Sequence, residues 1–485
     1  MTDDAQAAAA LARIDSYPYR HRLAEVMTAP VASVASGATL AEAAAEMDRR
    51  DISSVLVTGP GTAAVAGIVT ERDVLRALAR HGAASLSLPV EMVMGRPLQS
   101  LPATAFVYRA LGRMDRCGIR HLAVTGADGA VIGIVTARAL LKQRAGRALA
   151  LGDGIAVADA AGLGGWRGEL PGLAAALTAE GVPGRQVAAV ISETIRDLTA
   201  RAAVLAAEEL AAGPLGPAPA AWCVMVLGSG GRGESLLVPD QDNALIHAGG
   251  EADDAWFAAF GARIADLLDA AGVPYCKGGV MAREALWRHS RQGWRDTVAG
   301  WIARPQGESL LNVDIFFDLM PVAGDAGLAE ALRADALALA RGARSFLANL
   351  AGSLDPMRPP LGFFGGIRTE AGRADLKLGG LLPLVSGARV LALKAGSAAT
   401  STPGRLADAH AAGLLNEADM LLLDRSHTAV VEAVLAQQIA DIAAGIAPST
   451  RVATAGLPAH RRSLLRLALE AAGRVPEIVR EGLSG

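Results

Sequence analysis

Two sets of side chains in this sequence have the types and spacing for chemistry. Asp240 and Asp242 are two residues apart, ahead of the apolar run Ala244-Leu245-Ile246, which predicts a strand. On a strand, that spacing points both carboxylates to one face. Two carboxylates on one face repel unless a cation lies between them, and hard oxygen ligands suit Mg²⁺. Just upstream runs Leu227-Gly228-Ser229-Gly230-Gly231-Arg232-Gly233-Glu234. Its glycines allow a sharp turn and close approach to a ligand, and Ser229 offers a hydroxyl where a helix can begin. Together these read as a phosphate cradle beside a metal clamp, the equipment of phosphoryl or nucleotidyl transfer. Either feature alone reads better as a glycine turn or a solvated acidic loop; their joint occurrence decides for the site.

The elements that must position these groups follow from the pattern. Ala221 to Leu227 is apolar and rich enough in β-branched residues for a buried strand leading into the glycine turn. From about 145 to 220 the chain reads as helix, with apolar residues at helical spacing from Val187 to Leu210 and Gly213-Pro214 ending it. Ala255 to Ala271 predicts an amphipathic helix. Trp287, Trp294 and Trp301, seven apart, would share one helix face as core packing. Lys277, in a glycine turn, could meet a phosphate. Leu310 to Pro321 reads as a strand carrying Asp314 and Asp318 on one face. Beyond about 345 the chain is mostly helical, and Lys377, Arg389, Arg405 and Gln438 each read best as part of a solvated helix face.

The N-terminal part is an internal repeat. Met27 and Met94, and Met47 and Met114, are offset by 67 residues, while Gly67-Ile68-Val69-Thr70 returns as Gly133-Ile134-Val135-Thr136 at an offset of 66. One residue is therefore lost in the intervening hairpin. Each copy reads as strand, helix, two strands and helix, and such a period fixes the architecture.

The balance of the chain excludes several classes. At 485 residues it calls for three or four domains. A hydrophobic share of 52% with 20% charged residues describes a globular chain, and a net charge of −3 gives no footprint for nucleic acid. Three scattered cysteines disfavour disulfides and zinc. No uncharged apolar run reaches about 18 residues, so no membrane span is expected. Met1-Thr2-Asp3-Asp4 does not begin a signal peptide, and a cytoplasmic location is the expectation.

The run GSGGRGESLLVPDQDNALI resembles the nucleotidyltransferase signature of protein-PII uridylyltransferases and glutamine-synthetase adenylyltransferases. It is most similar to the signal-transduction nucleotidyltransferases that carry CBS domains. The repeat resembles a tandem CBS pair, and the resemblance extends over about residues 20 to 480. It implies an α/β (α+β) multidomain chain: a lead-in at 1–20, a CBS pair at 21–145, a polymerase-β-like nucleotidyltransferase domain with preceding helices at 146–340, and a helical substrate-binding domain at 341–485. By the same resemblance Gly228, Ser229, Gly230 and Arg232 meet the nucleotide phosphates, and Asp240, Asp242 and Asp318 hold Mg²⁺. Asp318, rather than Asp314, would act as general base. Relatives usually have Arg where this chain has Met320.

In the CBS pair, Thr70, Asp73 and Thr136 would contact an adenine nucleotide (ATP, ADP or AMP). Ala139 replaces the Asp of the second copy, and such pairs also serve as ligand-free dimer scaffolds. The implied partners are a nucleoside triphosphate, an acceptor that is either a PII-like signalling protein or a small molecule, and a second copy of the chain. The alternative is a catalytically silent nucleotide-binding regulator.

Overall fold

The structure is a computed structural model that describes residues 21–59, 64–137, 139–140, 151–305, 307–362 and 365–484. The lead-in expected at 1–20 lies outside the described residues. The chain divides into two compact units, Met1–Leu149 and Ala150–Gly485.

The first unit is built from the repeat. Copy one contains α1 (Leu23–Val26), β1 (Ser33–Ala35), α2 (Leu40–Arg50), β2 (Ser54–Thr58), β3 (Val65–Thr70) and α3 (Glu71–His81). Copy two contains β4 (Ser100–Pro102), α4 (Val107–Cys117), β5 (His121–Thr125) and β6 (Val131–Thr136). In each copy a parallel pair is followed by an antiparallel hairpin, with a register irregularity at Val57/Thr58 and again at Val124/Thr125. The second hairpin connection is one residue shorter, as the change of offset requires.

The repeated methionines and glycines are explained by an exchange between copies. A Cβ on Gly133 would stand 2.4 Å from Met27 Sδ, and one on Gly67 would stand 2.7 Å from Met94 Sδ. Leu23 and Val26 of α1 accordingly lie in the core of copy two, while Val90 and Met94 close the core of copy one.

In the second unit residues 151–157 are helical, and α5 (Trp166–Ala179) and the long α6 (Gly184–Ala212) follow, the latter ended by Gly213 as expected. Then come β7 (Trp222–Val226), α7 (Gly228–Arg232), β8 (Asn243–His247), α8 (Asp254–Ala271), β9 (Arg288–Ser290), α9 (Arg291–Ala303), α10 (Glu308–Phe316) and β10 (Met320–Gly324). The four strands form one sheet in the order β10-β7-β8-β9, antiparallel except for β8 with β9. The remaining elements are α11 (Ala326–Gly342), α12 (Arg344–Gly352), β11 (Arg373–Asp375), α13 (Leu382–Ala395), α14 (Thr402–Ala411), α15 (Glu417–Ala443), β12 (Arg451–Ala453) and α16 (Ala459–Ser484). One hydrophobic core runs from Cys223 on β7 to Val479 on α16.

Two local expectations are corrected. Leu310 to Phe316 is helix rather than strand, and only Met320 onward is extended. Val313, Phe316 and Phe317 are buried, and helical spacing sends all three into the core. The apolar run therefore folds as a buried helix, a case that composition alone does not distinguish from a strand. Trp287 lies ahead of the α9 helix instead of on it, yet its ring packs 6.2 Å from that of Trp294 and 5.7 Å from that of Trp301. Lys377–Ala395 is long and apolar enough to cross a membrane by composition, but it is 72% buried within the fold, as a core helix is.

Candidate active site

β7 delivers the chain into the glycine turn, and the ladder continues one residue past it: the Leu227 amide donates to the Asp242 carbonyl at 2.8 Å. Gly228 then takes φ +54°, and a Cβ there would meet Asp242 Oδ2 at 2.5 Å. Gly231 is held more tightly still, since a Cβ would stand 1.9 Å from the Asp318 carbonyl oxygen. The glycines thus let the turn press against both acidic residues. The helix that begins at Gly228 lasts five residues and ends at Gly233 (φ +76°). Arg196 of α6 donates to the Gly230 and Gly231 carbonyls at 2.8 and 3.0 Å, and so covers the carbonyl end of α7.

Asp240 and Asp242 lie in the segment just before β8 rather than on it. The expected alternation survives there. Gln241 and Asn243 are both 2% exposed and tie the segment down, Gln241 Nε2 donating to the Ala265 and Val273 carbonyls and Asn243 Oδ1 accepting from the Ala282 amide. The two aspartates between and beside them keep more solvent: Asp240 is exposed and Asp242 half-buried. Their carboxylates converge with Cys276 Sγ, all three ligand atoms within 4.8 Å of one another. Burial, and next the Asp240 charge, push the Asp242 carboxyl up to about 6. Burial and then Asp242 push the Cys276 thiol up to about 11, so it stays protonated and hydrogen-bonds to that carboxylate.

Asp318 has a different environment. It is fully buried in the turn between α10 and β10, and its oxygens accept from Arg232 (2.5 Å), Arg389 (3.2 and 2.7 Å) and Arg405 (2.7 Å). Burial alone would raise its pKa, but the Arg389, Arg232 and Arg405 charges hold it below the usual carboxylate range. Asp314, on α10, ion-pairs with Arg389 and accepts from Ser386 Oγ at 2.9 Å. Arg232 also pairs with Glu234 at 2.8 Å. Three carboxylates and three guanidiniums thus form one buried network, joining the glycine turn to α13 and α14.

Comparison with known families follows this layout. The profile described as "Putative nucleotidyltransferase DUF294" matches residues 168–308, and the one described as "Putative nucleotidyltransferase substrate binding domain" matches 344–482. The CBS domain matches twice, at 23–80 and 90–146. The chain belongs to the CBS-domain-containing DUF294 nucleotidyltransferases. Among curated proteins it is similar to an uncharacterized 17.7 kDa protein in the bps2 3′ region of Acidianus ambivalens, 32% identical over 121 residues, which covers 25% of this chain and 71% of that one. Similar solved structures include the CBS-domain protein ATU1752 from Agrobacterium tumefaciens (28% identical, 26% of this chain and 87% of that one, TM-score 0.23). Another is the CBS-domain protein PAE2072 from Pyrobaculum aerophilum, complexed with AMP (28% identical, 26% and 94%, TM-score 0.24).

Within the family's nucleotidyltransferase domain, the donor set tests the expected Mg²⁺. A pair of carboxylates, one of them with raised proton affinity, is what a hard dication relieves. Asp240 and Asp242 fit it. Cys276, a protonated soft donor, fits better as a hydrogen-bond partner of Asp242 than as a ligand. Asp318 does not converge with them among the described residues, and its oxygens are engaged by arginines.

In the CBS unit, Thr70 and Asp73 are brought together but bond each other. Asp73 Oδ2 accepts from the Thr70 hydroxyl at 2.7 Å and from its amide at 3.1 Å, closing the start of α3. Thr136 Oγ1 accepts from the Ala139 amide at 2.9 Å. Lys277 is exposed.

Arg389 and Arg405, read from sequence as solvated, are each 2% exposed and grip Asp318. Gln438 is fully buried and holds the Leu237 amide at 2.9 Å, ahead of the two aspartates. A usable signal existed for Arg389, a lone charge inside the apolar run Leu382–Leu393. For Glu234 and Arg196 no local signal separates this role from an ordinary surface charge.

Proposed function

We propose that this chain transfers a nucleotidyl group from a Mg²⁺-bound nucleoside triphosphate to an acceptor, with an adenine nucleotide at the CBS pair controlling the reaction. The observation that carries this is the convergence of Asp240 and Asp242 beside a glycine turn that fits against them without a Cβ to spare. Those two carboxylates would hold Mg²⁺, which neutralises phosphate charge and orients the triphosphate when bound. Gly228, Ser229 and Gly230 offer backbone and hydroxyl groups to the phosphates. Arg232 stands at the end of the same turn, fixed by Asp318 and Glu234.

On this reading Asp318 is a positioning residue, with no free lone pair for an acceptor hydroxyl. The same observation favours a second reading, a nucleotide-binding regulator without turnover, because a third carboxylate is not free at the metal pair. The base and the acceptor, a PII-like protein or a small molecule, belong to the proposal, as does a homodimer formed through the CBS pairs, which light scattering tests.

Mass spectrometry of candidate acceptors after incubation with ATP, UTP, CTP or GTP and Mg²⁺ decides between the readings. A nucleotidyl mass gain establishes transfer and its base. Mg²⁺-dependent nucleotide binding without any gain establishes the regulator.

A further inference from the structure

A cavity of about 380 Å³ lies beside the glycine turn, walled by α6, by Arg232 and Gly233, by the start of α14 and by α15. It shares no lining residue with the gap bordered by Ser229, Asp240 and Asp242. Its size falls within the range of about 300–1,000 Å³ typical of small-molecule sites.

Charge and polarity in the wall are unevenly divided. Arg185, Arg196 and Arg232 line it, drawn from two separate segments. Glu234 is the one carboxylate of the lining, and its oxygens are already engaged. They accept from the Thr402 amide (2.7 Å), the Thr402 hydroxyl (3.1 Å) and Arg232 (2.8 Å), with His427 Nε2 at 3.6 Å. Arg232 is balanced by Glu234 within the lining and by Asp318 beyond it, while Arg185 and Arg196 pair with Asp424 and Glu193, which do not line the cavity. The wall therefore presents three guanidiniums, each paired on one side, and no open carboxylate to receive a cation. Ala189, Met320 and Val431 supply apolar surface beside it.

We propose that this cavity, which meets the glycine turn only through Arg232 and the two residues after it, is a second ligand site, distinct from the gap at Ser229, Asp240 and Asp242, that binds a small organic anion. A carboxylate or phosphate head meets the guanidiniums, which suit such planar or tetrahedral anions, and an apolar body rests on Ala189, Met320 and Val431. The site stands whether or not the chain transfers a nucleotidyl group.

Calorimetric titration of the full chain in EDTA, with phenyl phosphate and with benzoate, tests it, benzyl alcohol serving as the neutral control. At least one anion should bind with unit stoichiometry, the stronger of the two identifying the head group, and the alcohol should not. Arg185→Gln should weaken that binding by about tenfold or more, the usual loss when a charged hydrogen-bond partner is removed. Ala189→Trp, at an exposed position on the cavity wall, should do the same by filling the space. Asp240→Asn should leave anion affinity unchanged, and Ala189→Trp should leave Mg²⁺–nucleotide affinity unchanged.

Absence of anion binding overturns the proposal, as does an affinity equal to the parent's in both cavity variants. Loss of anion binding in Asp240→Asn, or of nucleotide binding in Ala189→Trp, shows one shared site and overturns it too. A parent chain that binds the anion but not Mg²⁺–nucleotide refutes the transferase reading and leaves the cavity site standing.

Discussion

The guanidinium of Arg389 grips the carboxylate of Asp318 across 71 residues of sequence, with hydrogen bonds of 3.2 and 2.7 Å in an interior that excludes water from both groups. This contact makes the helices after residue 344 part of the site rather than an appendage to it.

Removing one member of a buried ion network leaves the others uncompensated, at a cost of about 3–5 kcal/mol. Arg389→Ala and Asp318→Asn should each lower the stability of the second unit by that order. All six tryptophans lie in this unit, so denaturant unfolding followed by tryptophan fluorescence reports on it alone. An unchanged midpoint in both variants removes Asp318 from its assigned clamp.

Asp240→Asn and Asp242→Asn should each abolish the Mg²⁺ dependence of nucleotide binding in calorimetry. The double variant should be little worse than either single, because groups that act as a unit are strongly non-additive. Equal Mg²⁺ dependence in parent and variants refutes the metal assignment.

Gly231→Ala drives a methyl into the Asp318 carbonyl, a contact that only a backbone shift relieves. A loss of about 3 kcal/mol, the upper part of the overpacking range, is expected from its unfolding curve. Gly250→Ala, with nothing within 4 Å of the added carbon, should stay within about 0.5 kcal/mol of the parent.

Acid should loosen the second unit through Glu234. Burial raises its pKa, but the His427 and Arg232 charges outweigh that and hold the carboxyl well below its ordinary 4.5. A folded pKa below the unfolded one gives stability that is complete above about pH 4.5 and is lost as pH falls toward the folded value. Glu234→Gln should be less stable than the parent at pH 7, and the gap should narrow below pH 4.5. A gap that stays constant from pH 7 to pH 3 contradicts the ion-pair account.

In the CBS pair, Asp73→Ala should weaken AMP binding by about 1–3 kcal/mol in calorimetric titration. Asp73→Asn, which keeps an acceptor for the Thr70 amide and hydroxyl, should retain more of it. Unchanged affinity in the alanine variant moves the ligand elsewhere.

How much of this was legible in the sequence depended on how local the determining contacts are. The glycine turn, the paired aspartates and the shortened second hairpin are each written within a few residues; the turn and the hairpin are found where the pattern puts them, while the aspartates converge just ahead of the strand rather than on it. Asp318 could be found by resemblance, but its surroundings could not, because they are set by Arg389 and Arg405, 71 and 87 positions away. Leu310 to Phe316 misled for a related reason. Its aromatic and branched residues suit a strand by composition, and only the tryptophan cluster they pack against makes the helix the better way to bury them.

Met27 covering Gly133, and Met94 covering Gly67, mean that neither CBS copy owns all of the residues that shield it from water. A cut between the copies would not release two small domains; it would strip a lid from each. The heritable unit is therefore the pair. Loss or acquisition of this module has to move both copies at once, and a chain that kept one would need a second molecule's half to close it.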